Sequence, residues 1–244
     1  MDFLAEMYRR AKERAAGLKF VKDGNHPLRP LLPVLHDMAV IAEVKYAAPA
    51  EGNLGITAKP GVLARRYADL GASAISCLTE PHYFSGDLAF MPQIRRRCAL
   101  PVLMKDFIVD ERQIVAGRAA GADACLLITE MLSSGELAAL YRCARDLGMD
   151  VLVEVHGQAG LEKALAIGAR IIGVNSRDLA TLKVKPERHE EMIGQISKGV
   201  VTVAESGITS GLRLKELRDM GYDAALIGRA LANETFRKDI FACG

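Results

Sequence analysis

The stretch Pro101-Val102-Leu103-Met104-Lys105-Asp106-Phe107-Ile108-Val109-Asp110 decides how this chain folds. An apolar run too short for an independent helix ends abruptly on Lys105-Asp106, as a buried strand does when it delivers charge at its C-terminal end. A helix signal comes next, with Asp110 placed as an N-cap ahead of Glu111-Arg112-Gln113-Ile114-Val115-Ala116. A strand–charge–helix unit of this kind puts its charged residues at the mouth of an α/β fold. Taken alone, Lys105 and Asp106 read equally well as a solvated strand end. The rest of the chain repeats the pattern.

Working outward, apolar β-prone runs fall at Met38–Val44, Ala74–Leu78, Val102–Met104, Ala124–Ile128, Val151–Val155, Ile171–Val174, Val200–Val203 and Ala224–Ile227. Each is followed by room for a helix. Near-continuous apolar strands suit a parallel sheet covered on both faces, and strand–helix alternation implies right-handed βαβ units. Eight such units in about 200 residues are what a closed (β/α)8 TIM barrel needs. An open doubly wound sheet is the alternative. It more often carries a Gly-rich dinucleotide loop after its first strand, where this chain has Lys45-Tyr46-Ala47-Ala48-Pro49. An internal echo supports closure: Gly71-Ala72-Ser73, Gly121-Ala122-Asp123, Gly168-Ala169-Arg170 and Gly221-Tyr222-Asp223 each close a helix and open an even-numbered strand.

Residues 2 to about 18 place Phe3, Leu4, Met7, Ala11 and Ala15 at helical spacing between charged residues, which predicts an amphipathic helix. A breaker-rich loop follows, from Asp23-Gly24-Asn25-His26-Pro27 to Pro30 and Pro33. The organisation expected is a single α/β domain over 1–244, with 1–37 an N-terminal helical extension and loop and 38–244 the barrel.

The 244 residues are half hydrophobic with a formal net charge of +2, enough for a large core and without a stripe for nucleic acid. Arg95-Arg96-Arg97 reads as a solvated helix end. Cys77, Cys98, Cys125, Cys143 and Cys243 are odd in number and form no CxxC pair, so they read as reduced packing residues in a cytoplasmic protein. No run approaches the ~18 apolar residues of a membrane span, and the acidic, amphipathic N-terminus is unlike a signal peptide.

The odd-numbered strands carry charge at their ends: Glu43 and Lys45, two apart and so on one face, then Lys105, Glu154 and Glu205. Inward residues at the C-terminal ends of barrel strands converge on one cavity. Two lysines and three glutamates sharing a half-buried pocket form either a catalytic set or a salt-bridge lattice plugging the barrel. After the sixth strand, Asn175-Ser176-Arg177-Asp178 offers an amide and a guanidinium for a carboxylate or hydroxyl, or plain turn chemistry. Glu205-Ser206-Gly207-Ile208 and Ile227-Gly228-Arg229-Ala230 follow the last two strands, where barrels often hold a phosphate on backbone N–H groups. Phe84 and Phe107 are candidates for an apolar wall against a flat ring, or for core. The five histidines form no ligand pattern; His156 is placed near the mouth without a role.

Together these stretches resemble the indole-3-glycerol phosphate synthase family of tryptophan biosynthesis, over about residues 38 to 232. The resemblance rests on Ile41-Ala42-Glu43-Val44-Lys45, on Leu78-Thr79-Glu80-Pro81-His82-Tyr83-Phe84 and on Pro101 through Asp110. It continues through Leu152-Val153-Glu154-Val155-His156, Ile172-Gly173-Val174-Asn175-Ser176-Arg177-Asp178-Leu179 and Ala204-Glu205-Ser206-Gly207-Ile208. It implies a phosphorylated small-molecule substrate, 1-(o-carboxyphenylamino)-1-deoxyribulose 5-phosphate, closed to an indole with loss of CO2 and water and without a cofactor or metal. By similarity Lys105 is the general acid, Glu154 the base or proton partner in dehydration and Lys45 a second lysine holding substrate. Glu43 and Asn175 resemble positioning residues, Glu205 a supporting carboxylate, and Arg177 a residue at the rim of the substrate site. Phe84, Phe107 and Pro49 match the ring and loop contacts; Ser206, Gly207, Gly228 and Arg229 match the phosphate site. A monomer or weak homodimer, bound to neither membrane nor nucleic acid, is expected.

Three departures stand out. Where the family usually reads Ser-Pro-Ser, this chain has Ala48-Pro49-Ala50; Gly86-Asp87 replaces a frequent Gly-Ser; Arg229 stands where a small or polar residue is common. Each neutral hydrogen bond lost costs about 0.5–1.5 kcal/mol, which weakens binding without removing the chemistry. The alternatives are a paralogue acting on another aryl- or sugar-phosphate, or a catalytically silent barrel that binds a phosphorylated metabolite.

Overall fold

The computed structural model describes residues 3–19, 26–179, 181–232 and 239–241. Eight strands close into a barrel: β1 (Ala39–Val44), β2 (Ala74–Leu78), β3 (Val102–Lys105), β4 (Ala124–Ile128), β5 (Asp150–Val155), β6 (Ile171–Asn175), β7 (Val201–Glu205) and β8 (Ala224–Ile227). All neighbours are parallel, and β1 pairs with both β2 and β8, so no edge is left open. Helices fill the crossovers between strands, giving the (β/α)8 architecture expected from the apolar runs. Strands β3, β6 and β7 extend beyond their apolar runs to include Lys105, Asn175 and Glu205, because the sheet ladder continues to the charged residue.

The four repeated glycines have a shared backbone reason. Gly71, Gly121, Gly168 and Gly221 all take positive φ, between 67° and 108°, at the turn from a helix into an even-numbered strand. That region costs an L-residue about 1–2 kcal/mol. Asp110 caps the helix Glu111–Ala120 by accepting from the Arg112 N–H at 2.9 Å, as its place in the sequence suggested.

At the N-terminal face of the barrel, aspartates at the strand starts hold the chain together. Asp123 accepts from the Val102 and Arg29 N–H groups, and Asp150 from those of Leu31 and Leu32, anchoring the loop before β1. The expectation for Arg95 is corrected here. Its guanidinium lies 2.7 Å from Asp123 with the side chain only 8 % exposed, because a buried carboxylate just before β4 needs a cation. Arg96 and Arg97 are exposed.

Helix α1 (Phe3–Ala16) buries Met7, Ala11 and Ala15, four residues apart and therefore on one face. Its polar side reaches the C-terminal end of β3. Arg14 forms a fork with Asp106, at 2.6 and 3.3 Å, and Lys12 donates to the Val109 carbonyl. Asp106 also accepts from Thr79 Oγ1 and from the Phe107 N–H, both at 2.7 Å, so this strand end is tied down rather than solvated. A short hairpin unannounced by the sequence, Ala47–Ala48 with Gly52–Asn53, carries Ala48-Pro49-Ala50 over the mouth. Cys77, Cys98 and Cys125 are buried free thiols; Cys243 lies outside the described residues. Among the described residues no helix is long and apolar enough to cross a membrane.

Candidate active site

The strand ends bring the charged residues together around a cavity of about 390 Å³. Glu43 and Lys45, on the same side of the end of β1, pair at 2.7 Å. From β3, Lys105 reaches across to Glu205 Oε2 at 3.1 Å and Glu154 Oε2 at 3.4 Å. Asn175, level with Glu205 in the β6–β7 ladder, donates from Nδ2 to Glu154 Oε1 at 3.1 Å. Glu43, Glu154 and Glu205 are each at most 5 % exposed, so water does little to screen them.

Burial and charge set the protonation states. Burial pushes the Lys105 ammonium toward losing its proton, but the carboxylates of Glu205, Glu154 and Glu43 outweigh it and hold the lysine charged to higher pH than usual. Glu43 and Glu154 are also opposed by burial. Lys45 and Lys105 pull Glu43 below the ordinary carboxyl value, and Lys105, His156 and Asn175 do the same for Glu154. Glu205 goes the other way. Burial first, and then the neighbouring Glu154 carboxylate, push it up to about 8. Its Oε1 is buried without a hydrogen-bond partner, whereas both Glu154 oxygens face donors. Near neutral pH the pair therefore favours its proton on Glu205 and leaves Glu154 ionised.

Two glycines leave room for this cluster. A Cβ at Gly173 would strike the Glu205 carboxylate, and one at Gly228 would strike that of Glu43 and approach Lys45 Nζ at 3.0 Å. Gly228 thus makes room for the Glu43–Lys45 pair, besides lining the cavity. Ser206 (φ 65°) and Gly207 (φ 71°) turn sharply after β7, and both line the cavity. A serine in the left-handed region is held there against a cost of about 1–2 kcal/mol. Arg229 reaches the cavity rim, but its guanidinium is 70 % exposed and pairs with Glu51 of the hairpin at 3.0 Å. Arg177 donates to the Leu182 carbonyl, which holds it at the rim.

Phe84 and Phe107 stand 6.2 Å apart on one wall, and Phe3 of α1 packs edge-on to Phe107 at 6.1 Å. Pro49 lies outside the main cavity. It lines a smaller one of about 90 Å³ with Phe3, Lys45, Ala48 and Ala50. The sequence reading missed Phe3, whose helical spacing pointed only to a sticky face. It also missed Glu130, next to His156 across the β4–β5 junction at 2.9 Å. Glu130 stands just past the apolar strand β4, where no motif or resemblance singled it out.

Fold and site define a class: a (β/α)8 barrel with titratable groups gathered at the C-terminal ends of its strands, where barrel enzymes carry their chemistry. Solved structures agree on the fold alone. A structure titled "Native KDPGal structure" matches with TM-score 0.58 at 14 % identity, over 85 % of this chain and 94 % of that one. The N-acetylmannosamine-6-phosphate 2-epimerase of Clostridium perfringens matches with TM-score 0.63, also at 14 % identity, over 85 % and 93 %.

Sequence comparison then identifies the family. The indole-3-glycerol phosphate synthase family model matches residues 19–241. Relatives named indole-3-glycerol phosphate synthase are 47 % identical in Campylobacter curvus (78 % of this chain, 73 % of the relative) and 45 % in Acetivibrio thermocellus (83 % and 76 %). A third, from Paenarthrobacter aurescens, is 42 % identical over 92 % of this chain and 82 % of its own length. The chain belongs to the indole-3-glycerol phosphate synthase family.

Proposed function

We propose that the chain catalyses its family's reaction, closing 1-(o-carboxyphenylamino)-1-deoxyribulose 5-phosphate to indole-3-glycerol phosphate with loss of CO2 and water. The observation that carries this reading is Lys105, a buried ammonium held 3.4 Å from the Glu154 carboxylate and 3.1 Å from the Glu205 carboxyl group in the cavity. A ketone attacked by an aromatic carbon needs an acid on its oxygen, and departure of the resulting hydroxyl needs one again. Lys105 is that acid. Its carboxylate neighbours keep it charged, so the proton is present when needed, and developing negative charge on the substrate oxygen draws it off. Glu154, kept ionised, accepts the proton lost as the indole forms. Lys45, poised by Glu43, holds the substrate and serves as a second acid, and Asn175 orients Glu154.

The aromatic wall of Phe84 and Phe107 suits the anilino ring, with Pro49 contacting it from the hairpin. Ser206, Gly207 and Gly228 would take the phosphate on their backbone N–H groups, with Arg177 at the rim. Arg229 joins them by exchanging Glu51 for the phosphate. A monomer or weak homodimer in the cytoplasm completes the proposal. Ala48 and Ala50 beside the smaller cavity favour one further reading, a relative that takes a different aryl-amine sugar phosphate. Indole fluorescence from purified protein given the carboxyphenylamino substrate tests the proposal. Turnover supports it. Binding without turnover would favour the different substrate.

A further inference from the structure

Glu154 touches a second ionic pair that the reaction above does not use. His156, two residues on along the chain, lies with Nδ1 2.9 Å from Glu130 Oε2 and Nε2 3.3 Å from Glu154 Oε1. The Nε2 contact is an ion-pair approach rather than an aligned hydrogen bond. Glu130 is fixed as well: it accepts from the His156 N–H at 2.9 Å and from Thr129 Oγ1 at 2.9 Å, and Thr129 Oγ1 is itself 3.0 Å from the Glu154 carbonyl. Exposure is graded along the line, from Glu154 at 2 % through His156 at 8 % to Glu130 at 26 %. Neither Glu130 nor His156 lines the cavity, and Glu130, a quarter exposed, meets solvent beside it.

Resting on the reaction inferred above, we propose that Glu130 and His156 form a proton relay that recharges Glu154 and Lys105 from solvent while the mouth is occupied. The proton balance requires such a supply. As the ring carbon bonds to the ketone carbon, Lys105 gives one proton to the ketone oxygen. The bond to the carboxylate carbon then breaks, CO2 leaves, and its electron pair restores the ring. Next the C–O bond breaks, a second proton converts the hydroxyl to water, and Glu154 takes one proton from the forming indole. Two protons are given and one recovered, so each turnover takes up one proton from solvent. Glu154 returns its proton to Lys105, 3.4 Å away. The missing one comes from the charged His156, whose Nε2 releases its proton to Glu154; the neutral ring then exchanges tautomers, which returns a proton to Nε2, and the freed Nδ1 takes the next proton from solvent through Glu130.

The surroundings suit a charged imidazole. Burial alone would strip its proton, but Glu130 and Glu154, with Glu205 further off, hold it on above the usual histidine range. Lys105 on β3 neutralises Glu154 from the other side, and Lys163 on the following helix is engaged with the Thr129 and Leu132 carbonyls.

The test compares the wild type with His156→Ala and Glu130→Gln on the carboxyphenylamino substrate. In His156→Ala we expect kcat to fall about tenfold or more with KM within about twofold, and added imidazole to restore much of the loss. A purely structural histidine would not respond to imidazole. Unchanged kcat, or a loss that imidazole does not restore, overturns the relay alone. No product from the wild type would overturn the proposed function and the relay with it. Nitrogen-15 NMR of the resting protein reads the bridge without turnover: both His156 ring nitrogens should be protonated at neutral pH in the wild type, and this charge should be lost at lower pH in Glu130→Gln. A neutral His156 in the wild type at neutral pH overturns the proposal.

Discussion

Glu205→Gln should flatten part of the pH dependence of folding stability. In the folded protein Glu205 keeps its proton up to about pH 8, against an ordinary carboxyl value of 4.5, because burial disfavours its charge and Glu154 adds repulsion. Between those values the folded state holds a proton that the unfolded chain has released. Stability therefore falls as pH rises across this window and levels off above it. At ~1.4 kcal/mol per pH unit the ceiling is about 5 kcal/mol, and relaxation of a buried pair reduces the observable effect to about 2 kcal/mol or more. Glutamine resembles the protonated carboxyl in shape and carries no titration. The variant should match the wild type near pH 5 and exceed it progressively toward pH ~8, read by urea unfolding in pH steps. Glu154→Gln should not do this. That carboxylate is ionised and pairs with Lys105, so its loss destabilises the protein at neutral pH. A constant difference between Glu205→Gln and wild type across the range would refute the assignment of the proton to Glu205.

Arg14→Ala leaves the Asp106 carboxylate buried without its cation, and should cost about 3 kcal/mol by urea unfolding; a loss under ~1 kcal/mol would mean the pair contributes little. Gly121→Ala and Gly221→Ala both force an L-residue into positive φ, at 105° and 102°. Only at Gly121 would the new Cβ strike Arg95, whose guanidinium holds Asp123, so Gly121→Ala should destabilise more than the ~1–2 kcal/mol expected at Gly221. Gly228→Ala should push the Glu43 carboxylate off Lys45 and cost about 1–3 kcal/mol in stability, with turnover falling by a larger factor than at sites away from the mouth. Equal activity to wild type would show that the Glu43–Lys45 pair tolerates displacement.

The barrel was legible because each strand is an apolar run and four of the helix exits share a glycine that only positive φ explains. Lys105, Glu154 and Glu205 were legible as charge at the ends of apolar strands, since strand register leaves such residues one place to converge. Contacts between elements far apart in sequence were not. Nothing near Arg14 signals that it meets Asp106, 92 residues on, nor that Arg95 is consumed by Asp123. The Ala47–Asn53 hairpin was too short to show periodicity, and it is the hairpin that brings Glu51 to Arg229. The pairing of His156 with Glu130 joins the ends of two different strands, 26 residues apart, and no local pattern in the sequence marks it.

Single-turnover indole formation from the carboxyphenylamino substrate by wild type, Lys105→Ala and Glu154→Gln, each first shown to be folded, tests directly whether Lys105 and Glu154 carry the proton transfers. The wild type should form product, and both variants should show at least a ~100-fold slower chemical step, the low end of what a positioned acid or base supplies. Wild-type rates in Lys105→Ala would contradict this, since the reaction would then not draw its proton from the lysine around which the cavity is built.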